Sequence, residues 1–318
     1  MENIKIAVII PCYNEGLAIA GVVNEFKCVL PQADIFVYDN NSTDDTCKNA
    51  KFAGAIVRSE KMQGKGNVVR RMFADIDADV YVMSDGDKTY DIAKTPLLIK
   101  TLLDNNLDMV IGARKEVDLS AYRVGHKWGN VMLTKLVQCF FKHKLNDMLS
   151  GFRVFSRRFV KTFPAISGGF EIETELTIHT LSTKIPMMEV DTDYFARPEG
   201  SVSKLSTFKD GFRILKMIVN LVKDERPLLF FSIISILFFL SSLSLGLPVI
   251  VHYFQTGTVP WLPRSVLAMG LMICFGLCLL VGFVLDSQRK SRYEARRFNY
   301  LRYNPVQIKQ KSYKRLFF

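Results

Sequence analysis

Apolar residues recur through the first third of the chain in two alternating rhythms. Short β-branched runs at 5–10, 35–38, 55–58, 80–83 and 109–111 read as strands. Between them, 17–30 (closed by Pro31), 44–53 and 66–76 carry the spacing of helices. This alternation predicts βαβ units and an α/β domain on a mostly parallel sheet. Ligands of such sheets gather outside the carboxyl ends of the strands. Polar clusters fall at those ends: 11–15 after the first strand, 39–45 after the second, 85–91 after the fourth.

The pattern changes near the C-terminus. Residues 228–251 run for 24 positions without a charge, and 265–285 for 21. Each exceeds the roughly 20 residues needed to cross a hydrocarbon core. The linker 252–264, with Gly257, Pro260, Trp261 and Pro263, reads as a short loop with an interfacial aromatic. Ahead of the first run, Phe208, Phe212, Leu215, Ile218, Val219 and Val222 recur at helical spacing, with Lys209, Arg213, Lys216 and Lys223 elsewhere around the helix. That suits an amphipathic helix in the membrane plane. The expected organisation is a catalytic domain over 1–206, an interfacial helix over 207–227, two transmembrane helices over 228–285 with a short external loop, and a basic cytoplasmic tail over 286–318.

Charge sharpens this picture. Of a net charge of +11, the tail 286–318 holds ten Lys/Arg against Asp286 and Glu294, while the linker holds one Arg. A basic run directly after an apolar segment suits anionic lipid headgroups rather than nucleic acid, and the asymmetry puts both termini in the cytoplasm. The six cysteines show no CxxC or Cys/His ligand spacing, which argues against zinc and against a disulfide framework. No signal peptide is expected at the N-terminus, because the first apolar run is short and turns polar at once.

Three clusters can carry chemistry. Asp85-Gly86-Asp87 follows an apolar strand, and two carboxylates flanking a glycine can converge on one divalent cation that shares substrate phosphates. Asp39 ends the second strand, where it can accept hydrogen bonds from a base or ribose; Ser42 or Thr43 reads as the cap of the next helix. Gln63–Asn67 opens another helix, whose amides and Lys65 could face phosphate, without the full P-loop pattern. His126 and His143 read as structural or surface residues. Asp147 and Glu171–Glu175 are candidates to orient cations or contact sugar.

In order, VIIPCYNE (8–15), DNNSTDDT (39–46), GKGNVVR (64–70), SDGDKTYD (84–91), GAR (112–114), SGFR (150–153), GFEIETEL (169–176) and Arg197 with SVSKL (201–205) resemble glycosyltransferase family 2. The likeness is strongest to its polyprenyl- and dolichyl-phosphate hexosyl synthases. It spans about residues 4–210 and implies a GT-A, Rossmann-like fold, inverting transfer and a Mg²⁺ or Mn²⁺ requirement. It further implies that Pro11, Tyr13, Glu15, Asp39, Lys65 and Asp85 bind the nucleotide-sugar and that Asp85 and Asp87 hold the metal. Arg114, Arg123, Ser150, Arg153, Arg197 and Lys204 would bind the acceptor phosphate, with Asp87, Arg114, Arg153 and Asp147 serving catalysis. Many relatives carry a glutamine where Thr89 stands, which leaves a third metal ligand unassigned. The implied partners are a UDP- or GDP-sugar, undecaprenyl or dolichyl phosphate and membrane lipids, in a bacterial inner membrane or the endoplasmic reticulum; a homo-oligomer stays open. The competing readings are a polysaccharide- or glycolipid-extending family 2 enzyme, which usually has Q-x-x-R-W and more spans, an inactive membrane scaffold, and a soluble sugar nucleotidyltransferase.

Overall fold

The structure, a computed structural model, describes residues 4–116, 145–196, 222–259 and 261–306, together with Lys135, Val137, Gln138, Phe141, Lys216, Val219 and Asn220. The chain forms two compact units, Met1–Thr207 with Arg296–Phe318, and Phe208–Ala295.

The first unit is an α/β sandwich. Its elements run β1 (Ile6–Cys12), α1 (Ile19–Val29), β2 (Asp34–Asp39), α2 (Thr46–Phe52), β3 (Ile56–Ser59), α3 (Lys65–Asp75), β4 (Val80–Met83), a 3₁₀ turn (Ile92–Lys94), α4 (Thr95–Asp104), β5 (Met109–Glu116), β6 (Arg153–Ser156), α5 (Arg157–Thr162), α6 (Ile172–Ser182) and β7 (Met187–Tyr194). Seven strands form one sheet in the order β3-β2-β1-β4-β6-β5-β7. All neighbours are parallel except β6, which runs against both β4 and β5. The expected mostly parallel sheet is therefore the one formed.

Strands β1, β2 and β4 are buried on both faces, which is why they read as near-continuous apolar runs, while the edge strands β3 and β7 stay partly exposed. Along β1 the side chains divide by the two-residue period: Ile6, Val8 and Ile10 join α1 and α4 in one core, Ala7 and Ile9 join α3, α5 and α6 in the other. Helix α1 buries Ile19, Val22, Val23 and Phe26, the three-and-four spacing that predicted it. The second core takes in Tyr300, whose hydroxyl donates to Asp108 at 2.6 Å. Asp108 also accepts from Ser156 Oγ (2.6 Å) and Arg158 Nη2 (2.7 Å), and the Arg158 guanidinium lies 4.3 Å from the Tyr300 ring centre.

In the second unit, α7 (Pro227–Thr256) ends at Gly257, whose φ of +70° provides a left-handed cap. Helix α8 (Leu262–Leu301) begins there and continues beyond the unit. The two antiparallel helices are stitched by Ser235 Oγ to Phe275 O (2.9 Å) and Ser242 Oγ to Ala268 O (2.7 Å). A side chain on Gly282 would meet Phe231 Cβ at 3.1 Å, so the small residue allows a close crossing. Both helices are long and apolar enough to cross a membrane, and Leu, Ile and Phe cover their exteriors. Helix α8 does not stop at 285. It runs through the first half of the basic segment, because 286–301 contains neither Gly nor Pro to end it.

Candidate active site

Strands β1, β2, β4, β5 and β7 are mutually aligned, so their carboxyl ends share one edge, and β6 begins at that edge with Arg153. The loops there are tied to each other rather than to solvent. Asn14 N donates to Ser42 Oγ (2.8 Å), Glu15 N to Thr46 Oγ1 (2.9 Å), Gly16 N to Asp44 Oδ2 (2.9 Å) and Thr43 N to Asn14 Oδ1 (2.8 Å). Asn14 and Asn41 take positive φ, 52° and 65°, the left-handed region that asparagine tolerates. Ser42 and Thr43 thus bind the first loop and do not cap α2, whose start is held by Asp44 accepting from Thr46 N at 3.1 Å. Burial raises the Asp44 pKa, but the donors from Thr46 and Gly16 outweigh it and leave it below the usual range. Pro11 and Glu15 are half-buried beside the exposed Tyr13.

Asp39 is buried at the end of β2. One carboxylate oxygen accepts from Ser42 N at 3.2 Å, the Cys47 thiol lies close by, and among the described residues Oδ1 has no N–H or O–H donor. A buried anionic oxygen without a donor is costly, and a ligand N–H or O–H would satisfy it. Its neighbour Asn40, which motif reasoning passed over, is fully used: Nδ2 donates to Glu60 O and Met62 O (2.8 Å each) and Oδ1 accepts from Gly64 N (2.7 Å).

The helix amides expected to face phosphate are occupied. Gly66 N donates to Gly169 O (3.1 Å) and Asn67 N to Gly168 O (3.3 Å). Any side chain at Gly66 would collide with Ser167 O, so the glycine is needed for that approach. Glu175 holds the same loop by accepting from Ile166 N (2.9 Å) and Ser167 N (2.7 Å). Lys65 is paired with Asp85 and with Glu173, the latter at 2.6 Å. Burial would lower its pKa, but the two carboxylates more than offset this and hold the ammonium charged.

Asp85 is half-buried and Asp87 is 4% exposed. Between them Gly86 packs so near Cys12 that a Cβ would lie 2.6 Å from Sγ. Gly151 lies against the Asp85 carboxylate, and its N–H donates to Tyr90 Oη at 2.8 Å. Thr89 Oγ1 donates to Asp87 Oδ1 at 2.7 Å. Hard oxygen donors on a buried turn fit a small divalent cation that draws its remaining ligands from a diphosphate. Among the described residues, no third Asp, Glu, His or Cys completes a ligand cluster.

On β5, Arg114 meets Asp147 in a two-pronged pair, Nε to Oδ2 at 2.6 Å and Nη2 to Oδ1 at 2.8 Å, with the guanidinium 5.3 Å from the Tyr194 ring centre. Burial raises the Asp147 pKa, but the Arg114 bonds prevail and hold it low. Glu189, which sequence reasoning missed, anchors this loop through Asn146 N (2.8 Å) and Asp147 N (3.1 Å).

Two expectations need correction. Arg153 does not reach an acceptor phosphate: it is 0% exposed. Its Nε donates to Ser150 O (2.8 Å), Nη1 to Thr177 Oγ1 (3.0 Å) and Met109 Sδ (3.7 Å), and Nη2 to Met148 O (2.6 Å) and Glu173 O (3.1 Å). That uses every N–H of a guanidinium, and burial brings its pKa down to about 10. Ser150 is likewise buried, with Oγ donating to Gly112 O at 2.6 Å. Both brace the site from behind. Arg123, Arg197 and Lys204 lie outside the described residues.

Residues 7–163 match the family described as Glycosyl transferase family 2. Glycosyltransferase AglJ of Haloferax volcanii is 32% identical over 289 residues, covering 88% of this chain and 92% of AglJ. The chain belongs to glycosyl transferase family 2. Protein RfbJ of Shigella flexneri is 57% identical over 127 residues, 40% of this chain and 98% of RfbJ. Dolichyl-phosphate hexose transferase of Haloferax volcanii is 26% identical over 221 residues, 70% of this chain and 95% of that protein. Glucosyl-3-phosphoglycerate synthase from Mycobacterium tuberculosis, solved with Mn²⁺, UDP-glucose and phosphoglyceric acid, superposes with a TM-score of 0.56 at 21% identity, covering 69% of this chain and 79% of the synthase. The fold is thus the expected GT-A type, and the protein is a glycosyltransferase.

Proposed function

We propose that this glycosyltransferase moves one sugar from a UDP- or GDP-sugar to a polyprenyl phosphate at the cytoplasmic membrane face, with inversion. The observation that carries the reading is one sheet edge with a carboxylate pair, Asp85 and Asp87, and an oriented arginine, Arg114, in a chain that also has two helices of spanning length. The dolichyl-phosphate hexose transferase among its relatives supports a lipid-phosphate acceptor, and the Mn²⁺–UDP-glucose complex of the structural neighbour supports a metal-bound donor.

In this reading Asp39 Oδ1 accepts from the base or ribose, and Pro11, Tyr13 and Glu15 border the nucleotide. Asp85 and Asp87 hold Mg²⁺ or Mn²⁺, which when bound offsets charge on the leaving diphosphate. Lys65, kept charged by Asp85 and Glu173, adds a positive charge beside that diphosphate. Arg114, held in plane by Asp147, sets a positive charge at the acceptor phosphate, with Arg123, Arg197 and Lys204 as further cations. A phosphate monoester with a second pKa near ~6 is largely dianionic at neutral pH, so it attacks without a strong general base. The two helices anchor the enzyme where its acceptor resides. Both termini are assigned to the cytoplasm by the Lys/Arg asymmetry, and the assignment agrees with Arg296–Phe318 belonging to the same unit as Met1–Thr207.

Detergent-purified protein, given a panel of nucleotide-sugars, polyprenyl phosphate and Mg²⁺ or Mn²⁺, should form an acid-labile lipid-phosphate monosaccharide that does not lengthen with time. A ladder of oligosaccharides, or transfer independent of lipid phosphate, would overturn the proposal.

A further inference from the structure

The turn after β4 contains a residue that the assignment of Asp85 and Asp87 does not explain. Thr89 is 1% exposed, and both of its donors point at one atom, with Oγ1 2.7 Å and N 3.3 Å from Asp87 Oδ1. Lys88 makes this possible by taking φ +59°, which folds the chain back so that residue 89 faces residue 87. Thr89 is itself held from the far side, since its carbonyl accepts from Phe195 N at 2.9 Å and the following Tyr90 bridges to Tyr194. A β-branched side chain has restricted χ1, so little freedom is left in the hydroxyl.

We infer that Thr89 is a positioning residue for a divalent cation, acting through Asp87. Resting on the metal reading above, the inference says what replaces a third side-chain ligand. Asp87 Oδ1 already accepts two hydrogen bonds from Thr89, so the turn of the carboxylate toward a cation is set by that residue. The plane of the carboxylate is set before the cation arrives, and the cation meets an oriented oxygen instead of a rotating one. Partners of this kind behind a ligand typically change metal affinity by ~10–100-fold when removed.

Thr89→Val keeps the branch and removes the hydroxyl; Thr89→Ser keeps the hydroxyl. Mn²⁺ binding to the full chain in detergent, with UDP and with GDP, is read from the loss of the free-ion paramagnetic resonance signal. Thr89→Val should weaken Mn²⁺ binding by ~10-fold or more, and Thr89→Ser should restore it to within about 3-fold, with melting temperatures of the metal-free proteins alike. Activity of Thr89→Val should return at high Mn²⁺. Should the valine variant fail to fold, Thr89→Ala gives the same reading. Wild-type affinity in the valine or alanine variant, or a serine variant as weak as valine, overturns the role of Thr89 while leaving the metal site in place. Wild-type Mn²⁺ affinity in Asp87→Ala instead removes the metal site and this inference with it.

Discussion

Replacing Arg153 by lysine separates two accounts of the SGFR segment. If Arg153 met an acceptor phosphate, the change would raise the acceptor KM and leave the fold alone. The structure requires the opposite. Lysine offers three N–H groups from one point against five in a planar fork. Thr177 Oγ1 also lies 3.0 Å from Glu173 O and 3.3 Å from Met148 O, so its single proton keeps a partner for one of those carbonyls after substitution. Ser150 O loses its guanidinium bond, and the ammonium cannot meet Met148 O and Thr177 together at their present spacing. One or two buried acceptors left short, at ~1–3 kcal/mol each, amount to about 3 kcal/mol. For a domain of this size that lowers the melting temperature by ~6–12 °C. Thermal unfolding of the detergent-solubilised protein, followed by circular dichroism, measures it. Acceptor kinetics well below the transition, normalised to folded protein, should show a KM within about 2-fold of wild type. Unchanged melting together with a ~10-fold rise in acceptor KM would refute the structural role and return Arg153 to the phosphate.

Other outcomes are equally open to test. Arg114→Lys should lower kcat/KM for lipid phosphate by ~10²-fold through misalignment, with UDP or GDP affinity by calorimetry unchanged. His179, buried between Phe159 and Phe163, has its pKa pushed down to about 4, first by burial and then by Arg296. The unfolded chain therefore binds the extra proton first, so this group costs no stability above pH ~6.5 and an increasing amount as pH falls toward 4. His179→Phe should flatten melting temperature against pH across that window, and an unaltered slope would exclude the histidine. Tyr300→Phe removes a bond to the buried Asp108 carboxylate and should cost ~1.5–3 kcal/mol in thermal unfolding without altering substrate KM. A cysteine placed at Thr258 should label from outside intact cells and one at Asn304 should not; the reverse pattern defeats the proposed orientation.

The middle of the sheet was legible because β1, β2 and β4 are covered on both faces. Every strand through β5 announced itself as an apolar run, and α1 as a three-and-four stripe. Strand β6 was not legible: RVFS is only four residues long and opens with an arginine, so periodicity cannot distinguish it from a loop. Asp39, Asp85 and Asp87 were expected at or just after strand ends and lie there, because each follows an apolar run whose end the sequence displays. Arg153 and Ser150 could not be assigned correctly, because a motif preserves residue type but carries no sign of burial. Here the guanidinium turns inward onto backbone carbonyls that the sequence does not display. Asn40 and Glu189 were missed for the same reason, since their partners are main-chain groups far away in sequence.

The place of Tyr300 in the second core bears on how the molecule is made. Asp108 and Arg158 leave the ribosome first, then α7 and most of α8, and only afterwards the tyrosine that closes over them. During synthesis the nascent catalytic unit therefore holds a buried carboxylate one donor short until the apolar hairpin has emerged. Final packing of the catalytic unit thus waits until α7 and α8 have been synthesised, so completion of the fold is timed by chain that follows most of it.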